Sequence, residues 1–527
     1  MPLIPFENVG SIGIIQDTPP YNLPQGAWSD GNNVRFLDNG VKKMAGYKEV
    51  MATCPFAPYY INPYLATNGT YYWIAYGSNN IAVYDGATWT DITRTSGSYG
   101  ANTTSRRWTS TNLNGLLIAT NGFDSPQMWP LSAGIPSVGT PFVALSNWPN
   151  PTYSCKSIRS FRTFLIGLNW TRANEEPRLV KWSTEAAYGQ APSTWDETNA
   201  TLDAGEYELS DTPGEIIDGL PLGDSFLIYK NDSIYVMNYV GTPYIFSFKL
   251  LSPTVGALSK NSIAEFEGGH FFIGNSDCYV CNGQTINALL PNKMRRAMFD
   301  NFDGASYEKC YVAADYVRNE MLACFPSSNS STVDKALVWN WKENTFSLRD
   351  LPNASYINHG IIDITVGATW DGATEYWDVG SGAWGERNYD SVKENLVFCD
   401  ITNTKIYRDN FGHKEDTANM SSYIERTGLD LNDPQAVKFV SAVYPQIEVS
   451  GDNSVNVYVG RQISTEQGIT WEGPILFNPN TQSKVSCRVS GKYFGIKVES
   501  NGDFDWKLHG VAFEVQQRGL RGLRSYG

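Results

Sequence analysis

Four histidines are the first residues to weigh for acid–base or metal chemistry: His270, His359, His413 and His509. No two are neighbours, and no His-x-His or HExxH spacing occurs. A metal ion needs several ligands brought together from characteristic spacings. The four are therefore read as strand or loop residues. Cys278 and Cys281 form a C-x-x-C within CYVCNG. A zinc site would need a second such pair, and the sequence has none. A redox pair normally opens a helix, whose N-terminus lowers one thiol pKa. Here the pair sits in a strand-like run, and alternation puts residues three apart on opposite faces. Packing is the favoured reading. The eight Cys are scattered along 527 residues, so a disulfide framework is not expected and a reducing cytoplasm is. No Gly-x-Ser-x-Gly elbow, P-loop or dinucleotide fingerprint is evident. Carboxylates are abundant, but no pair stands out. The expectation is no enzyme, with no catalytic, cofactor-binding or metal residue and no cofactor.

Two basic pairs, Arg106–Arg107 and Arg295–Arg296, could meet phosphate. A solvated face or a subunit salt bridge is the simpler reading. The second pair follows Asn292-Lys293-Met294 and could sit on a short helix around Leu290–Phe302. One hairpin motif is sharper. Ser464-Thr465-Glu466-Gln467-Gly468-Ile469-Thr470-Trp471 resembles the Asp-box of sialidase-type propellers, with Glu in place of Asp. Asp85-Gly86-Ala87-Thr88-Trp89 is a shortened relative. In such a turn the acidic side chain accepts from backbone N–H groups, Gly takes a positive φ and Trp covers the hairpin. In that family the box is structural. A sialidase would also need an arginine cluster; Arg35, Arg94, Arg162 and Arg349 are candidates without motif context.

Most of the chain reads as strands, because aromatic and apolar residues alternate between Asn-Gly, Asp-Gly and Gly-Asn turns. Aromatic residues make up 13% and charged residues only 18%, which excludes a wholly disordered chain. No run of 18 apolar residues occurs, so no spanning helix is expected. Met1–Ile15 shows no basic-then-apolar secretory pattern. A net charge of −14 argues against a surface that holds nucleic acid throughout.

A loose repeat of strand, polar turn, strand begins at Tyr71, Asn114, Phe161, Gly223, Gly268, Asn319 and Glu394. Most of its spacings fall near the ~40–50 residues of a propeller blade, and each copy reads as the inner hairpin of one blade. The expected fold is all-β. Residues 51–420 form a β-propeller of six to eight blades, with 1–50 as an N-terminal arm or platform. An antiparallel β-sandwich occupies 421–515, and 516–527 is a flexible Arg/Gly tail carrying Arg518, Arg521 and Arg524.

The order of parts resembles a known family. Its marks are Pro5-Phe6, the stretch Gly26 to Phe36 (GAWSDGNNVRF), Arg162 to Gly167 (RTFLIG), Val443 to Ile447 (VYPQI) and the hairpin ending at Trp471. Together they look like the tail nozzle, also called tail hub or stabilisation protein, of short-tailed bacteriophages. The resemblance implies a structural virion protein, assembled in the host cytoplasm. It would form a ring, usually a hexamer, below the portal and its adaptor ring. Propellers would stand side by side around a channel for double-stranded DNA. A fibre or spike and a distal needle or plug would be its other partners. The alternative is a propeller enzyme or binding module acting on host surface glycans, where Trp and Tyr faces stack on sugars. A cellular scaffold propeller is a third reading.

Overall fold

The computed structural model describes residues 2–67, 69–100, 108–132, 134–199, 201–362, 394–465 and 467–517. Strands form where β-branched and aromatic residues sit between tight turns. At Leu113–Leu116, for example, Asn114 (φ 48°) and Gly115 (φ 89°) both take the left-handed conformation a two-residue hairpin needs.

Six four-stranded antiparallel sheets follow one another over 60–91, 109–144, 154–208, 216–252, 263–288 and 311–350. A seventh contains Ala354–Gly360, Asn395–Asp400 and Lys405–Asp409. Its fourth strand is Tyr47–Glu49, which precedes the first sheet in sequence. The first strands of neighbouring sheets lie side by side, and Ala354–Gly360 meets Tyr60–Leu65 to close the ring. The first and second sheets share an apolar cluster that includes Tyr60, Tyr76, Trp108 and Leu117. The architecture is a β-propeller.

All seven sequence repeats fall on the second and third strands of these sheets. They are the middle hairpins, where inner hairpins were expected. The middle strands are packed on both faces by neighbouring sheets, so they are the most continuously apolar. Phe164–Thr171 and Glu320–Phe325 are almost wholly buried. The innermost strand precedes each repeat and is more polar.

Two further sheets form the sandwich. One runs Val485–Gly491, Lys438–Val449, Trp506–Gln517, Gly40–Lys43, Val34–Leu37, with Leu3–Phe6 also paired to Trp506–Gln517. The other runs Asp30–Asn32, Ser422–Leu429, Tyr493–Ser500, Val455–Gln462, Thr470–Phe477. Val440, Val457, Phe494, Ile496, Trp506 and Phe513 join their inner faces. The same cluster runs through Trp28 and Val34 to Met321, Trp339 and Phe346 of the sixth sheet. Sandwich and propeller therefore share a continuous core.

Residues 1–50 are thus placed differently from the expected arm. Their strands complete both sandwich sheets and the seventh propeller sheet. The segments LIPF, DGN, VRFL and GVKK are three or four residues long. Such short runs are too brief to show a clear alternation, and apart from the local hairpin of VRFL with GVKK their partners lie hundreds of residues away. Gln516 and Gln517 end the last strand, and the arginines of the expected flexible tail lie outside the described residues. The expected short helix is present as Arg295–Phe299. The Asp17 carboxylate accepts from the backbone N–H groups of Arg295 and Arg296, at 2.9 Å each.

Candidate functional site

The chemistry-bearing residues of the sequence are dispersed and mostly satisfied. Cys278 and Cys281 are both buried and belong to different apolar clusters, as strand alternation requires. Burial raises both thiol pKa values, Cys278 well above the ordinary range, so neither is a ready nucleophile. Among the described residues no group of His, Cys, Asp or Glu could hold a metal ion. His359 packs edge-on against Tyr316, and His509 Nε2 lies 3.1 Å from Glu448.

His270 is enclosed. Its Nδ1 lies 2.9 Å from the Tyr229 hydroxyl, and its Nε2 lies 2.9 Å from the Pro221 carbonyl oxygen. Burial lowers its pKa to about 4, against a weaker opposing effect of the Pro221 carbonyl. An unfolded histidine titrates near 6.5, so acid favours the unfolded chain. His270 should contribute fully above about pH 6.5 and lose on the order of 3 kcal/mol as pH falls towards 4. Urea unfolding of wild type and His270→Asn at pH 7.5 and 5 checks this. The variant should show a shallower loss of stability between the two.

The Asp85 turn has the expected structure. Its Oδ1 accepts from Ala87 N–H at 2.9 Å and Thr88 N–H at 2.8 Å, Gly86 has φ 101°, and Trp89 packs on Tyr84. Those hydrogen bonds lower the Asp85 pKa. In the longer motif Glu466 lies outside the described residues. Gly468 is not among the positive-φ glycines, and Trp471 packs over Gly460 and Gly495.

The four arginines do not form one cluster. Arg94 meets Asp124 at 3.0 Å, and Arg162 meets Asp224 at 3.6 Å. Arg35 and Arg349 share one seam between the sixth sheet, the seventh sheet and the first 50 residues. Arg35 donates to Glu320 at 3.1 Å and Asn410 at 2.9 Å. Arg349 holds Asp409 through two nitrogens, and both side chains are buried. Arg295 and Arg296 lie on the short helix, while Arg106 and Arg107 lie outside the described residues.

The most concentrated polar constellation is on the propeller axis. Ser157 and Arg159, two apart on Ser154–Phe161, face Asp218 on Ile216–Leu222. A register shift at Ile216/Asp218 interrupts the ladder there. Asp218 accepts from Ser157 Oγ at 2.5 Å, Arg159 Nε at 3.0 Å, Arg159 Nη2 at 2.6 Å and its neighbour Gly219 N–H at 2.9 Å. Arg159 also reaches the Ser110 carbonyl oxygen and Asn261 Oδ1, at 3.4 Å each. The Tyr60 hydroxyl and Ser110 Oγ are 3.1 Å apart. Inner strands of four sheets and the segment entering a fifth are thereby tied together. Burial pushes the Asp218 carboxyl up, but Arg159 outweighs it and holds it below the ordinary value. With its lone pairs filled and its charge matched, this carboxylate is suited to tying inner strands together and ill-suited to proton transfer.

Arg159 and Asp218 were not singled out from the sequence, because 59 residues separate them. The available signal was a charge among apolar or small residues in each of two segments, SIRSF and IIDGL.

No protein-family model matches the chain, and no curated protein does. Among solved structures, one aligns from a study of PorZ, an essential bacterial surface component of the type-IX secretion system of Porphyromonas gingivalis. The alignment has 8% identity and a TM-score of 0.36, over 72% of this chain and 43% of that one. The AfRom2 CNH domain aligns at 10% identity and TM-score 0.36, over 70% of this chain and 98% of that one. The chain thus spans less than half the length of the PorZ structure. Its own sheets identify the chain by architecture alone, as an all-β protein built on a β-propeller.

Proposed function

We propose that the chain is a structural subunit of a short-tailed bacteriophage tail. It forms the nozzle ring below the portal adaptor, and double-stranded DNA leaves through the channel that the ring encloses. The observation that carries this reading is the single apolar core shared by propeller and sandwich, with inner propeller strands tied to one another through Arg159 and Asp218. These ties favour a subunit that acts as one block. In a ring of such blocks the channel runs between copies, the side-by-side arrangement of a nozzle. The mechanism is geometric and electrostatic. A chain of net charge −14 repels phosphates and lets DNA slide without being held. The partners are other copies of the chain, the adaptor ring, a fibre or spike, and a needle or plug at the far end.

The test is the mass of the purified 58.6 kDa chain, alone and with the adaptor protein, followed by imaging of any large species. A hexamer would weigh about 350 kDa and show a hole wide enough for a DNA duplex, on the order of 20 Å. A monomer under both conditions would overturn the reading.

A further inference from the structure

The outer surface of the third and fourth sheets carries an open groove of about 890 Å³. That is within the range of ligand-binding clefts, roughly 300–1,000 Å³. One wall is the outer strand Gly205–Glu208, and the other is Ile245–Ser252 with the hairpin tip before it. Tyr207 and Phe248 stack across it with ring centroids 4.5 Å apart and planes 5° off parallel. Trp182 forms the floor. Its ring lies against Gly205, where a Cβ would come within 2.4 Å of it, and Phe246 meets it edge-on. At the tip Tyr244 is 77% exposed and Val240 53%, while Tyr207 is 47% exposed. Exposed aromatic and apolar side chains thus gather at the mouth of the groove.

The rim is polar and pre-set. Lys181, itself buried, donates to Glu197 Oε2 and to Glu206 Oε2, the latter at 3.0 Å. Arg172 Nη1 donates to the same Glu206 oxygen at 3.1 Å. Both carboxylates stay about a third exposed. Burial raises the Glu197 pKa, but the Lys181 hydrogen bond and charge outweigh it and keep the group ionised.

We infer that this groove binds a neutral pyranose oligosaccharide. The C–H face of a sugar ring carries slight positive charge and meets the electron-rich face of an aromatic ring. Sugar hydroxyls are donors, and the fixed carboxylates of Glu197 and Glu206 are acceptors at the edge of that platform. The rim cations Lys181 and Arg172 are already paired with these carboxylates, which suits the rim to a neutral ligand better than to a phosphate-bearing or acidic one. The inference is independent of ring formation, so either reading can fail without the other.

The test is titration calorimetry of the full chain with neutral tetrasaccharides of glucose, galactose and mannose, α- and β-linked, and with polygalacturonate as an acidic control. Saturable binding of at least one neutral sugar is expected. Tyr207→Ala and Tyr244→Ala should each weaken it tenfold or more. Tyr244→Ala should leave the melting temperature unchanged because its side chain is 77% exposed, while Tyr207→Ala also loses its stack on Phe248 and lowers it slightly. Polygalacturonate should not bind. Absence of binding by every neutral sugar overturns the inference, as does binding that survives both substitutions. If Tyr244→Ala instead changes the oligomer mass while no sugar binds, the tip is a subunit contact and the inference falls.

Discussion

Deletion of residues 2–50 is expected to abolish cooperative unfolding altogether. The segment supplies Phe6, Val9, Ile14, Trp28, Val34, Phe36, Val41, Met44 and Tyr47, all buried. Trp28 is fully enclosed, donates to the Val9 carbonyl oxygen at 2.6 Å and meets Phe6 edge-on. Tyr47 packs edge-on against both Phe398 and Tyr407 in the seventh sheet. Each large apolar side chain contributes about 1.5–3 kcal/mol by burial. Their sum exceeds about 10 kcal/mol, comparable to the whole net stability of a folded protein. The deletion also strips the fourth strand from the seventh sheet and strands from both sandwich sheets. Urea unfolding followed by tryptophan fluorescence, with size-exclusion chromatography, checks this. A truncated chain with an unchanged midpoint would mean that these residues form a dispensable arm. A milder variant, Trp28→Ala, should cost about 3–5 kcal/mol by the cavity it leaves.

The second large effect is expected at the propeller axis. Arg159→Met should destabilise the chain by about 3–5 kcal/mol, because Asp218 would remain buried without its cation. Asp218→Leu combined with Arg159→Met should recover part of that loss, since the unpaired carboxylate is gone while Lys260 loses the attraction of Asp218. The double-mutant cycle measures the coupling. The pH dependence has a definite sign. The folded Asp218 pKa is depressed, so the pair contributes fully above the ordinary Asp value of 3.8. Its contribution is lost as pH falls through the lower folded value. A double variant as unstable as Arg159→Met alone would remove the ion pair as the cause.

Much of the propeller was legible because its middle strands are hydrophobic enough to announce themselves. FLIGLNW, SFLIYK and EMLACF each sit between two neighbouring sheets and must be apolar on both faces. The wide spacings came from insertions, such as the loop between Trp182 and Gly205. The role of residues 1–50 was not legible. Pairing between Leu3–Phe6 and Trp506–Gln517 leaves no local mark in either segment. The axial ion pair was hidden for the same reason, since its members belong to different sheets. Local chemistry read more faithfully. The Asp85 turn and the opposed faces of Cys278 and Cys281 depend only on neighbours in sequence, and both are found. The aromatic groove is intermediate. Its tyrosines were visible as composition, but their convergence depends on how the third and fourth sheets meet.

The pairing of Leu3–Phe6 with Trp506–Gln517, and of Tyr47–Glu49 with Lys405–Asp409, also fixes a timetable. A ribosome adds about 5–20 residues per second. The earliest strands therefore emerge roughly half a minute to a minute and a half before their latest partners exist. Through that interval the nascent chain holds open sheet edges and unburied aromatic residues such as Trp28. Closure of the ring and completion of the sandwich both wait for the last part of the chain to be made. Prematurely terminated products lack both closures and expose sticky edges to cellular chaperones and proteases. Only chains that carry both sets of strands reach the compact form, so the fold itself checks that synthesis has run through its last strand.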